Sequence, residues 1–224
     1  MRAHAVLTAL AVLLAAPAAA GPWPRERGAG FLSVSGGLER GPLSRVAVGE
    51  LYGEYGLTRR ITLGAHLRRE AMQTRADLLA RWHPDLSLPL AVGVTLGGRL
   101  ISGGEAEAQP RRIAPLLAAH LGHGVDTWLG NLWARADLQA IGQTDAIWGR
   151  TEAELSGQVG LRMDWGGLAM VTLAEHRGAS MRTRKLTPAV GYALTRRTTV
   201  VLDATLLPRE RQIDGVRLSL WRSF

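Results

Sequence analysis

At 224 residues the chain is long enough for one domain with a sizeable core, and with no cysteine it holds no disulfide framework. Its formal charge is +8, but the basic residues, all arginine except Lys185, are scattered over almost every connection. No face or tail gathers them, which argues against nucleic acid as a partner and leaves anionic lipid head groups as the natural one.

The first twenty residues have the pattern of a secretory signal. Arg2 and His4 precede the apolar run Ala5 to Leu14, and Ala18, Ala19 and Ala20 stand before Gly21 as a small-residue cleavage site. The run is shorter than the ~20 residues of a spanning helix. The expected division is therefore a cleaved signal peptide at 1–20 and one domain at 21–224.

From Ala29 onward the hydrophobic period is two. Ala153, Leu155, Gly157, Val159 and Leu161 alternate with Glu154, Ser156, Gln158 and Gly160, and Val200, Leu202, Ala204 and Leu206 alternate with Val201, Asp203 and Thr205. Turn residues divide the domain into segments at 29–39, 45–57, 60–69, 74–83, 89–101, 111–121, 126–141, 147–163, 167–177, 184–194, 198–207 and 212–224. Most are near the ~9–11 residues that carry a tilted strand across a bilayer. Every second connection is tight: Thr58 to Arg60, Gly122 to Val125, Asp164 to Gly167 and Thr195 to Thr198. Those between are more polar and often longer, as in Ser102 to Pro110 and Arg177 to Arg184. The expected fold is all-β: a closed, antiparallel, up-and-down transmembrane barrel of about 12 strands, with 10 as the alternative.

Two of the tight turns share nearly one nonapeptide, Tyr55 to Leu63 (YGLTRRITL) and Tyr192 to Val200 (YALTRRTTV). A barrel of hairpins must make the same turn repeatedly, so reuse of one local solution is preferred over two copies of a ligand site.

Period two alone leaves open which face is outside, since a soluble lipocalin-like barrel has the same period with its apolar face inward. Aromatic placement favours the membrane: Tyr55, Trp82, Trp128, Trp165, Tyr192 and Phe224 cluster at the tight-turn ends, where an interfacial girdle belongs. The opposite face is charged, with Glu50, Glu54, His66, Arg68, Asp77, Arg81, Arg99, Arg135, Asp137, Glu152, Glu154, Arg162, Asp203 and Arg217 all in phase on it. In a membrane barrel these line the lumen and meet solutes. Pairing between them is the expected state of the acidic pairs Glu50/Glu54 and Glu152/Glu154.

The last residues, Val216 to Phe224, resemble the terminal strand of bacterial outer-membrane barrels, with Phe224 at the end and Leu220, Leu218 and Val216 at alternate positions; Arg222 departs from that pattern. The resemblance implies the outer membrane, a Gram-negative source and recognition by the barrel-assembly machinery. The Tyr-Gly-Leu-Thr-Arg-Arg-Ile-Thr-Leu turn resembles turns of small porin-like transporter barrels of the phenol meta-pathway type. A comparable strand number occurs in acidic-sugar and nucleoside channels, but no residue motif assigns the chain to either.

Catalysis has little support. His176 and Ser180, preceded by Glu175, lack a nucleophile elbow, and Asp145 lacks the partners of an omptin-like site. His120 and His123 bracket an expected turn, which suits turn chemistry better than a metal. No cofactor motif is present. The outer connections carry Arg40, Arg45, Arg69, Arg111, Arg182, Arg184, Arg209 and Arg211, which can grip lipopolysaccharide phosphates. The expected function is passive diffusion of small polar or charged solutes through the lumen of a monomer. The alternatives are a plugged structural or assembly barrel and, behind it, an interfacial lipid-modifying enzyme.

Overall fold

A computed structural model describes residues 23–41, 44–71, 73–86, 88–103, 112–142, 151–178 and 181–224. The signal-peptide reading of 1–20 and the positions of Arg111, Asp145 and Ser180 lie outside these residues. The strands are β1 (Gly30–Arg40), β2 (Arg45–Gly56), β3 (Ile61–Glu70), β4 (Gln73–Trp82), β5 (Ala91–Gly103), β6 (Arg112–Thr127), β7 (Gly130–Ile141), β8 (Glu152–Met163), β9 (Gly167–Arg177), β10 (Arg182–Thr195), β11 (Thr198–Leu207) and β12 (Gln212–Ser223). Each pairs antiparallel with its sequence neighbours, and β1 pairs with β12. All twelve therefore close into one barrel with no free edge, the form a sheet must take in lipid.

The alternation decides the orientation. Leu78, Leu96 and Val190 on the outer face are 71 %, 64 % and 59 % exposed, whereas Val201, on the inner face, is 1 % exposed. Large apolar side chains in such numbers on the outside are destabilising in water and stabilising in a bilayer, so the barrel spans a membrane. Among the described residues no helix is long and apolar enough to cross one. Leu218, level with Gly36 and Leu202 of its neighbours, sits midway along the outer face. Leu218→Arg is expected to lower folding stability by about 2–4 kcal/mol, the effect of a charge at the midplane, measured as the urea midpoint in lipid vesicles.

The spans 167–177 and 198–207 match β9 and β11 residue for residue. The turn expected at Gly122 to Val125 is not there. β6 runs on to Thr127, because Leu121, His123 and Val125 continue the outward phase, and the turn falls at Trp128 and Leu129. Gly130 makes that turn possible with φ of 128°, and the Thr127 hydroxyl donates to its carbonyl at 2.8 Å. The connection expected at Arg177 to Arg184 is shorter too, since Arg177 pairs with Arg182 and Glu175 with Arg184.

The two nonapeptides make different loops from the same chemistry. Thr58 Oγ1 accepts from the backbone of Arg60 and Ile61 at 3.2 and 3.0 Å, and Thr195 Oγ1 accepts from Arg197 at 3.2 Å. Threonine closing the turn on its own backbone is the shared device. The second copy is tighter, because Thr195 still pairs with Thr198.

Candidate functional site in the barrel lumen

Every charged residue assigned above to the polar face stands on the inner wall, and the wall groups them into two belts. The first lies toward the tight-turn end. There Glu54 of β2 accepts from Arg25 Nε at 2.8 Å, from Arg81 Nη1 at 3.0 Å and from the Tyr52 hydroxyl. Arg81 Nε donates to Thr95 Oγ1 at 3.2 Å, Thr95 contacts His120 Nε2 at 2.8 Å, and His120 Nδ1 meets Asp137 at 2.7 Å. An ionised Asp137 can only accept, so His120 Nδ1 donates to it. Ser156 and Arg135 complete the shell of Asp137 at 3.5 Å each, and the belt runs from β2 to β8.

The second belt is nearer the other end. Glu50 joins Arg68 of β3 to Arg217 of β12, the latter at 2.6 Å, and Arg217 Nε continues to Asp203 at 3.1 Å. Arg68 also reaches Glu39 at 2.6 Å and Glu70 at 3.0 Å. Asp77 holds Arg99 through both carboxylate oxygens at 2.7 and 2.8 Å, with His66 Nδ1 at 3.6 Å. This two-point grip fixes the guanidinium plane. On the far wall Lys185 meets Asp214 at 2.8 Å, and His176 lies 3.8 and 3.9 Å from Glu152 and Glu154. Arg162 faces inward from β8, opposite Asn131 of β7.

Periodicity pointed to most of this wall but missed Arg75 of β4, which has the phase of Asp77 and Arg81. Arg75 stands directly opposite Arg68 in register, and among the described residues no carboxylate pairs with it. Its Nε is buried without a hydrogen-bond partner.

Also missed was the segment before β1, which has no periodicity to expose it. Residues 23–28 fold into the tight-turn mouth. Arg25 is 8 % exposed, donates to Glu54, and lays its guanidinium 5.0 Å from the Phe31 ring centroid. Trp23 packs on the inward cluster of Trp133, Leu168, Ala189 and Val201, beside Met170 and Trp221. Gly28, with φ of 84°, donates from its backbone to Gly56 at 2.8 Å, and Gly56 donates back to Ala29 at 2.9 Å. The strap thus covers one side of the mouth with apolar packing and the other with an ion pair. Nearby, in the connection after β4, burial and then the charge of Arg81 hold the His83 imidazole below its ordinary pKa.

The turn placement expected for His120 and His123 is corrected. His120 and His123 both lie within β6, on opposite faces: the first joins the inner belt and the second holds the Pro89 carbonyl outside at 2.7 Å. Glu175 and His176 diverge, His176 inward toward Glu152 and Glu154 and Glu175 outward toward Arg182. Outside the wall, the six aromatics of the expected girdle are exposed around the tight-turn end, and Trp165 packs on Tyr192 at 6.2 Å. Phe224 is exposed as well, and its backbone exchanges hydrogen bonds of 2.8 and 3.0 Å with Gly30, closing the barrel at the last residue. Arginines ring both ends: Arg59, Arg60, Arg196 and Arg197 at the tight turns, and Arg40, Arg45, Arg69, Arg182, Arg184, Arg209 and Arg211 opposite.

No family model and no curated protein matches the sequence. Solved structures do match in fold. The KdgM porin superposes with a TM-score of 0.61 at 11 % identity, covering 87 % of this chain and 99 % of that one. A second structure, the KdgM porin in complex with disordered oligogalacturonate, gives 0.58 at 11 % identity, with 87 % and 98 % covered. The NanC porin gives 0.58 at 11 % identity, with 84 % and 98 % covered. The chain therefore has the fold of these porins over 84–87 % of its length.

Proposed function

We propose that the protein is an outer-membrane channel for passive diffusion of small polar or charged solutes, acidic ones most readily. The observation that carries the reading is the inner wall itself: a continuous lining of fixed charges in which Arg75, beside Arg68 and Arg99, offers a guanidinium with no carboxylate of its own among the described residues. A passing carboxylate can replace part of the water of that group without first breaking an ion pair. The shared fold with KdgM, one structure of which contains oligogalacturonate, supports an acidic solute as the first to test. No covalent step is needed. Outer-membrane lipid and lipopolysaccharide surround the barrel in this reading, and the assembly machinery reads its last strand.

A second reading has its own observation: the strap of residues 23–28 and the tryptophans around it narrow the tight-turn mouth. A barrel permanently closed there would be structural.

Single-channel recording of the refolded protein in planar bilayers separates the two. Discrete current steps are expected, with a preference for anions that Arg75→Glu reverses or abolishes while the barrel stays folded by heat-modifiable gel mobility. Folded barrels that never conduct, with the strap intact or displaced, would leave the structural reading standing.

A further inference from the structure

The outer face of β9 and β10 carries a feature that the channel does not use. Glu175 points away from the lumen and is ringed by three guanidinium groups: Arg177 Nε at 2.6 Å, Arg182 Nη2 at 2.7 Å and Arg184 Nε at 2.7 Å. Its side chain is 16 % exposed, while those of the three arginines are 42–63 % exposed. The carboxylate thus sits at the centre and the arginines present their remaining N–H groups outward. Three cations about one anion leave surplus positive charge, already fixed in position, so less conformational freedom is lost when an anion binds.

Toward the middle of the barrel, the outer face from β8 to β11 carries an apolar depression of about 740 Å³, lined by Val159, Leu161, Val171, Pro188, Val190 and Leu202. Its cause is local. Pro188 has no N–H to give the ladder, and β10 and β11 pair at Leu186/Leu206 and again, in the same register, at Ala189/Asp203 with the ladder interrupted between. Small residues in the outward phase, Ala169 and Ala204, then leave the outer surface hollow. Glu175 and Val171 are four residues apart on β9, about 13 Å at the strand rise of ~3.3 Å per residue. Leu173 and Leu186, paired in register, bridge the interval with an apolar surface.

We propose that this is a binding site for a phosphorylated, multiply acylated lipid: the phosphate of a lipopolysaccharide lipid A seated on Arg177, Arg182 and Arg184, with one acyl chain in the hollow around Pro188. The cluster lies at the end opposite the tight turns and both ends of β1–β12, where lipopolysaccharide lies if the tight turns are periplasmic, and to that extent the proposal rests on the outer-membrane reading. Guanidinium groups pair with phosphate oxygens two at a time, and a phosphate with its tail matches both the charge above and the hollow below. A free phosphate would engage only the upper half.

The test is lipid binding to the full barrel refolded in detergent micelles, followed by native mass spectrometry. The probes are bis-phosphorylated lipid A, the same lipid dephosphorylated, and phosphatidylglycerol. Wild type is expected to prefer bis-phosphorylated lipid A over both others. Arg182→Ala with Arg184→Ala should weaken that binding at least about tenfold, as the loss of a charge-assisted contact does. Val190→Trp, which fills the hollow and leaves the arginines alone, should weaken it as well. Equal binding of the dephosphorylated lipid, equal competition by phosphatidylglycerol, or unchanged binding in either variant overturns the site. Conductance of the same preparations keeps the two readings apart: a conducting barrel without lipid preference sinks this proposal alone, and a lipid A-binding barrel that never conducts sinks the channel alone.

Discussion

Gly56→Ala is expected to open the tight-turn mouth. A Cβ at this position would lie 2.0 Å from the Glu26 carbonyl oxygen and 2.8 Å from that of Arg25. Those atoms are backbone, so they cannot rotate aside; the strap must lift away. Gly56 ends β2 and has no positive φ, which leaves the barrel itself free to accept alanine. Arg25→Ala should act in the same direction by a gentler route, removing the Arg25–Glu54 contact and the Phe31 cation–π pair. A hydrogen bond between charged groups contributes about 1.5–3 kcal/mol, so the ratio of closed to open mouths should fall by about ten- to a hundredfold. Single-channel recordings would show this as longer or larger openings than in wild type. Identical conductance and open probability in both variants would mean the strap is no gate.

Glu54→Ala is expected to cause the largest loss of stability of any lumen substitution named here. The Glu54 side chain is 1 % exposed and is shared by Arg25, Arg81 and Tyr52. Arg25 can swing out with the strap when its partner is removed, but Arg81 is held in the wall by Thr95 and would be left as a buried cation beside His83. Breaking a buried pair from one side is destabilising by about 3–5 kcal/mol. Urea unfolding in micelles, followed by heat-modifiable mobility, should register the change. Asp85→Asn, which removes the exposed pair with Arg60, should leave the midpoint in place because water screens both partners. If the Glu54 variant unfolds at the wild-type midpoint, the first belt does not hold the wall together.

Strand number and orientation were legible in the sequence because both are written in period two. Leu155, Val159, Leu202 and Leu218 could face only one medium together. The turn at Trp128 was misplaced for a reason intrinsic to that signal: glycines mark turns, but Gly122 and Gly124 lie on the inner face of a continuing strand, and alternation is the stronger evidence where the two conflict. Phase likewise put Glu50 and Arg217 on one wall, but not in one ion pair. Their separation of 167 positions is closed only when β1 and β12 meet, and that register is a property of the whole barrel. The strap was invisible for the opposite reason. Trp23 and Arg25 belong to no repeat, and their place is set by the hole that the strands leave.

The balance of charges on the wall has a further consequence. Acidic and basic groups there largely neutralise one another, so among the described residues the positive surplus resides mainly on the arginines around the two mouths. To an approaching anion the molecule is an attractive vestibule at each end joined by an almost level corridor. Enrichment at a vestibule acts over a Debye length and fades as salt shortens it, whereas the corridor sorts solutes by contact and width at any ionic strength. Capture and passage are thereby assigned to different arginines, and a substitution at the rim and one at Arg75 would change how often a solute enters and how it travels as two separate quantities.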